Sequence, residues 1–175
     1  MGIKDFCVDS DGKRFVKLSE YNKRVSHPEE KKKYLDKKLS RLRNVYKDLN
    51  KKNNKNPNFT PIDYKKSKRY NKVKRQHAKV CKQIADIREN YLQTTSYYYV
   101  NNYDIICIEN LTVKNMVKNH KLARAIMSCG WGRFAQLLEE KCDRYGKTLI
   151  KINRFYGSSK TCNNCGYYYE DLTLD

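Results

Sequence analysis

The sequence predicts an α/β fold on three observations. A strand, helix, strand order occupies residues 104–152, two apolar stripes at helical spacing precede it, and the chain opens on two short β-type segments. In the opening, Ile3, Phe6 and Val8 are followed by Asp9-Ser10-Asp11-Gly12 and then Phe15-Val16, the pattern of a hairpin closed by an Asp-Gly turn. From Pro28 to about Asn50, Leu35, Leu39, Leu42, Tyr46 and Leu49 recur at steps of four and three, so one face of a helix is apolar and the rest basic. Val73, His77, Val80, Ile84, Ile87 and Tyr91 form a second such stripe, and the two helices are expected to pack as an antiparallel pair. Between them, Lys51 to Lys68 is rich in Lys and Asn and carries Pro57 and Pro61, which reads as a mobile connector without a fold of its own.

After Tyr97-Tyr98-Tyr99, the β-branched run Asp104-Ile105-Ile106-Cys107-Ile108 predicts a buried strand ending on Glu109. Trp131, Phe134, Leu137 and Leu138 carry a helical pattern to Tyr145-Gly146, where the glycine suits a helix C-terminus, and Thr148 to Ile152 predicts a further strand. No internal repeat is present.

Composition points to a partner class. The 175 residues include 38 Lys and Arg against 19 Asp and Glu, a formal charge of +19, and a compact chain of that charge repels itself unless a polyanion neutralises it. Nucleic acid is the expected partner, a small-molecule substrate is not, and charge alone names no activity. The N-terminus lacks the basic and apolar regions of a signal peptide, and no run approaches the roughly 18 apolar residues of a membrane span. A soluble, cytoplasmic protein without membrane contact is expected. Of seven cysteines, Cys7, Cys81, Cys107, Cys129 and Cys142 lie scattered in apolar or helical patterns and read as reduced filler.

Three groups of residues can carry chemistry. Glu109 stands at the C-terminal end of a strand, where α/β ligand sites tend to lie, although taken alone it also reads as a solvated strand-end carboxylate. Two-metal phosphodiester cleavage needs several acids converging on ions about 4 Å apart, so Glu109 would need partners. Cys162-Asn163-Asn164-Cys165-Gly166 has the form of a zinc knuckle, in which two thiolates grip one side of a tetrahedral ion. With no second Cys or His pair after it, this is half a site; a redox pair or a chance pair are the competing readings. Lys151, Arg154, Ser158, Ser159 and Lys160 alternate with Phe155 and Tyr156, a mixture suited to phosphate contact and base stacking, or else a basic loop packed by two aromatics. The fifteen tyrosines fit helix packing better than stacking, and neither His77 nor His120 is assigned a metal.

The series Asp104-Ile105-Ile106-Cys107-Ile108-Glu109-Asn110-Leu111, Lys114, Met116, Asn119-His120-Lys121-Leu122-Ala123, Trp131, Phe134, Leu137, Tyr145-Gly146, and Arg154 through Cys162 to Cys165-Gly166 resembles the TnpB/OrfB proteins of insertion sequences. These are transposon-encoded, RNA-guided DNA endonucleases related to compact type V CRISPR effectors. The resemblance implies an incomplete RNase H-like (RuvC) domain over residues 1–155 with a helical insertion at about 28–97, and the first half of a zinc ribbon over 156–175. It implies DNA and a guide RNA as partners, zinc at Cys162 and Cys165, and three acids on magnesium, the middle one matching Glu109. Arg154, Ser158 and Lys160 would contact nucleic acid. Gly2-Ile3-Lys4 matches the end of an Asp-x-Gly-Ile-Lys motif whose Asp falls one residue before Met1, and the third acid falls beyond Asp175. Asp5 and Asp9 match neither position. Gly157 stands where many relatives carry Pro. The family's N-terminal RNA-binding part is also absent, so the resemblance implies a chain truncated at both ends and inactive in cleavage by itself. The alternatives are a nuclease-dead binding or repressor-like module and a basic RNA-binding protein of ribosomal type.

Overall fold

A computed structural model describes residues 1–2, 5–16, 19–153, 160–162 and 164–170. It separates into two compact units, Gly2–Tyr91 and Leu92–Asp175, the latter joined by Met1. No helix among the described residues is long and apolar enough to cross a membrane.

In the first unit, β1 (Asp5–Val8) and β2 (Arg14–Val16) form the expected antiparallel hairpin, with an irregular register between Asp5 and Cys7. The Asp9 carboxylate accepts from Lys13 N at 2.8 Å and the Asp9 carbonyl from Gly12 N at 3.1 Å, so Asp9 holds the turn. Ile3, expected in the first strand, lies outside the described residues.

Helix α1 spans Ser19–Asn53 and α2 spans Lys68–Asn102, each of 35 residues. Their pairing is antiparallel: Tyr46 Oη donates to Ser67 Oγ at 2.9 Å near one end, and His77 Nε2 meets Asp36 Oδ1 at 2.8 Å further along. Val25, Leu35 and Leu39 of α1 interlock with Val73, Val80 and Ile84 of α2, flanked by Leu42, Tyr70, Ile87 and Tyr91. That seam is the core the two sequence stripes predict.

Two expectations need correction here. The first helix does not start at Pro28 but runs through it from Ser19, with Pro28 buried. A proline inside a helix loses one backbone bond, and burial of its ring offsets part of that cost. The connector is also more structured than its composition suggests. Asn50 brackets Ile62 with two hydrogen bonds, donating to the Ile62 carbonyl at 3.0 Å and accepting from Ile62 N at 2.9 Å, and a 3-10 turn follows at Tyr64–Lys66. Asn residues there serve as backbone ligands as well as turn formers.

In the second unit, β3 (Ile105–Glu109) and β4 (Thr148–Ile152) pair in parallel with Glu109 opposite Ile152. Parallel neighbours need a crossover, here α3 (Val113–Met116), α4 (His120–Cys129) and α5 (Trp131–Tyr145). The sequence reading placed one helix in this crossover. It missed α4 because α4 and α5 abut at a single residue, Gly130, whose φ of +70° ends one helix and starts the other. Trp131, Phe134, Leu137, Leu138 and Cys142 of α5 are buried, together with Ile126 and Cys129 of α4, Ile106 of β3, and Leu92, Tyr99 and Val100 at the end of α2. The Tyr99 and Phe134 rings meet edge to face at 6.4 Å.

The strand ending on Glu109 is as expected, but it is not a buried one. Ile105 is 62% exposed and Cys107 is exposed, leaving Ile106 as its buried residue. Among the described residues β3 belongs to a two-stranded sheet, so alternate side chains lack a covering layer. Cys107 is therefore no core filler, whereas Cys7, Cys129 and Cys142 are buried thiols.

Candidate functional site

Glu109 is carried to its position by the register of the parallel pair. Asp104 and Lys147 form an ion pair at the start of the two strands, and Thr148 N donates to the Asp104 carbonyl at 2.9 Å, which sets the ladder that ends on Glu109. The hydrogen bond and charge of Lys147 hold the Asp104 carboxyl below its ordinary range. At the other end, the Glu109 side chain is 57% exposed and its Oε1 accepts from the N-terminal ammonium of Met1 at 3.1 Å.

The carboxylate opens into a cleft of about 330 Å³ whose walls include Met1, Asn110, Trp131, Glu139 and Lys151. Glu139, on α5, takes Lys151 Nζ on both oxygens at 3.1 Å each. The Glu139–Lys151 pair thus places a second carboxylate and a cation in the Glu109 cleft. Sequence reasoning noted Lys151 as a basic loop residue and missed Glu139. Its only signal was its place on α5 two turns beyond Trp131, and nothing separated it from the adjacent Glu140 until β4 was placed against the helix. Among the described residues no three His, Cys, Asp or Glu side chains cluster closely enough to hold a metal ion. Glu109 and Glu139 supply hard oxygen donors of the kind magnesium takes, but they fall short of a full ligand set.

Cys162 and Cys165 sit in a small hairpin whose described residues are 160–162 and 164–170. Cys162 N donates to the Tyr167 carbonyl at 2.8 Å, Tyr169 N to the Lys160 carbonyl at 2.8 Å, and Thr161 bridges Tyr168 in antiparallel fashion. Gly166 N returns to the Cys162 carbonyl at 2.9 Å with φ at +73°, a turn that side chains with a Cβ resist. Hydrogen bonds from the backbone of Cys165, then of Asn164, then from the Cys165 side chain hold the Cys162 thiol below its usual pKa. Two convergent sulfurs with amide donors aimed at one of them fit one side of a thiolate metal site, and two of its four ligands.

Arg154 and Ser158 lie outside the described residues. Lys160 is half-buried at the base of the hairpin and donates through Nζ to the Glu170 carbonyl at 2.6 Å. The structure thus joins Cys162 to Cys165, and Glu109 to Met1 with Glu139 and Lys151 in one cleft. His77 Nε2 lies 2.8 Å from Asp36 Oδ1.

A family model described as "Cas12f1-like, TNB domain" matches residues 131–174. A protein of Streptomyces pristinaespiralis described as "Putative RNA-guided DNA endonuclease" is 40% identical over 104 residues, covering 59% of this chain and 26% of that protein. "TnpB-like protein L79" and "TnpB-like protein L770" of Acanthamoeba polyphaga mimivirus are each 30% identical over 135 residues, covering 73% of this chain and 25% of theirs. The chain spans about a quarter of the length of the curated relatives it matches. These matches place the chain in the TnpB family.

Proposed function

We propose that this chain forms part of an RNA-guided DNA endonuclease, in which Glu109 is the middle one of three acids that bind magnesium. The observation that carries the reading is the place of Glu109 at the C-terminal end of a parallel strand, in a cleft it shares with Glu139 and Lys151. On this reading residues 1–155 belong to an RNase H-like (RuvC) domain with the helical pair inserted at about 28–97. Residues 156–175 begin a zinc ribbon, with Cys162 and Cys165 as two of its ligands and DNA and guide RNA as partners.

The side chains present suit these groups. Carboxylate oxygens are magnesium ligands and thiolates are zinc ligands. Magnesium bound at Glu109 would stabilise charge on the attacking and leaving oxygens of a phosphodiester. The Met1 nitrogen engages Oε1 alone, and the Glu109 carboxylate has a second oxygen to offer the ion. The family pattern has an Asp immediately before the position of Met1. A residue bonded to the Met1 nitrogen would lie beside Glu109, where a second ligand is needed, and the 3.1 Å contact supports that alignment. Lys151 would meet the incoming phosphate, held ready by Glu139. Zinc at Cys162 and Cys165 would be structural, and Lys160, with Arg154 and Ser158, would face nucleic acid.

One acid does not clamp two metals, so the 175 residues by themselves are expected to leave DNA uncut in magnesium. The test replaces the matching segment of a full-length relative with this chain. Magnesium-dependent cleavage should appear, Glu109→Ala should abolish it while target binding persists, and Cys162→Ser should lower zinc content. Cleavage that survives Glu109→Ala sinks the assignment.

A further inference from the structure

The largest concentration of charge in the chain lies in the first unit. Residues 2–91 hold 27 Lys and Arg against 11 Asp and Glu, a net +16 of the chain's +19. Part of it is ordered along one exposed face of α2. Lys68, Lys72, Arg75 and Lys79 recur at steps of four, three and four residues, which lines up four cations over about 16 Å of helix. Lys66 joins them from the preceding turn, and with Asn71 and Gln76 they line an open groove of about 530 Å³. All five cations are exposed, and none has a carboxylate partner among the described residues; the nearby acid Asp36 is taken by Lys32 and His77.

We propose that this face of α2 is a docking surface for double-stranded DNA, held through its backbone phosphates. The inference rests on the chain's being a nucleic-acid binder and is independent of whether Glu109 holds a metal. Charge complementarity selects a polyanion. A DNA strand presents a phosphate about every 3.4 Å of duplex axis, so 16 Å of cationic helix faces on the order of five phosphates per strand. Among the described residues the groove lining contains no aromatic ring, whereas sites for single strands rely on rings on which bases stack. An exposed helix face can approach or enter the wide major groove of B-form DNA, while the corresponding groove of A-form RNA is too deep and narrow to admit it. Asn71 and Gln76 add amide groups between the cations, the other side-chain type that contacts phosphate and sugar oxygens.

The test measures binding of the full chain to a mixed-sequence duplex DNA by fluorescence anisotropy across a salt series. The variant combines Lys68→Gln, Lys72→Gln, Arg75→Gln and Lys79→Gln. A charge-matched control combines Lys31→Gln, Lys33→Gln, Lys47→Gln and Lys52→Gln on α1 and its end. The groove variant should bind at least about tenfold more weakly, with the slope of log affinity against log salt reduced by about 3 to 4, while the control loses far less. Duplex DNA should also shield Lys68, Lys72 and Lys79 from acetylation while Lys31 and Lys33 stay reactive, a readout on the unaltered chain. Equal losses in the two variants, equal shielding everywhere, or tighter binding to single-stranded DNA or duplex RNA of the same length would overturn the surface while leaving nucleic-acid binding in place. No affinity for any nucleic acid at low salt would overturn both.

Discussion

Residues 2–91, most of them in two long helices, carry a net +16, whereas residues 92–175 carry 11 Lys and Arg against 8 acids, a net +3, around the buried face of α5. In the helical pair the buried seam is one stripe wide, and Leu39 and Ile84 keep 7% and 8% exposure. In the βα unit, Phe134, Leu137 and Leu138 are shielded to 1–2%. On the function proposed above, the contrast follows from what each region would hold in place. A surface that meets phosphates needs charges in a row and tolerates a shallow core, because a bound polyanion relieves the repulsion. A carboxylate that must meet a metal in one geometry needs a strand end fixed by packing on rigid elements.

The largest effect expected on this contrast comes from the dense core. Phe134→Ala should cost about 3–5 kcal/mol, since it removes a ring enclosed by α5 and Tyr99. Trp131 is the single tryptophan and sits in the same unit, so its fluorescence reports that unit's unfolding while far-ultraviolet circular dichroism is dominated by α1 and α2. The fluorescence transition should shift well ahead of the helical one; a common shift would mean that the two units unfold as one body.

A smaller effect separates the units by charge. Raising salt from about 10 mM to about 300 mM shortens the Debye length several-fold and should raise the melting temperature read from the helices, with little change in the Trp131 transition. If both respond equally, the repulsion is not localised in residues 2–91.

The smallest effect is a pH dependence in the βα unit. Lys147 lowers the Asp104 pKa, so this pair adds stability above the ordinary carboxylate value of about 4 and loses it as pH falls through the lower folded value. Asp104→Asn should flatten that loss in the Trp131 transition between about pH 5 and pH 2. Because Asp104 is fully exposed, the change should be slight, and a large one would mean that the ladder behind Glu109 depends on this pair far more than its exposure allows.

Much of this architecture was legible in the residues. The stripe through Val73, Val80 and Ile84 packs as periodicity requires, β4 has the expected bounds, and Gly146 ends α5 with φ at +65°. Glu109 stands at its strand's end, as the switch from Ile108 to a carboxylate suggested. The reading erred where a local rule met a tertiary one. Pro28 is a natural first residue of a helix, yet α1 passes through it with the ring buried. The run Ile105-Ile106-Cys107-Ile108 is apolar enough for a strand covered on both faces, yet in this two-stranded sheet Ile105 and Cys107 meet solvent.

The amino-acid order by itself determined the existence of the two long helices and of α5, the strand tipped by Glu109, the turn that Gly166 makes after Cys165, and the excess of positive charge. Each depends on residues within a few positions of one another, where spacing and backbone preference act directly. Only the tertiary structure decided that Glu139 and Lys151 share the Glu109 cleft, that the Met1 ammonium lies against its carboxylate, and that five cations of α2 and its leading turn line one groove without acids among the described residues. Those pairings join residues from different elements or depend on which faces packing leaves open, and local sequence carries no record of which side chains the packed faces bring together or leave exposed.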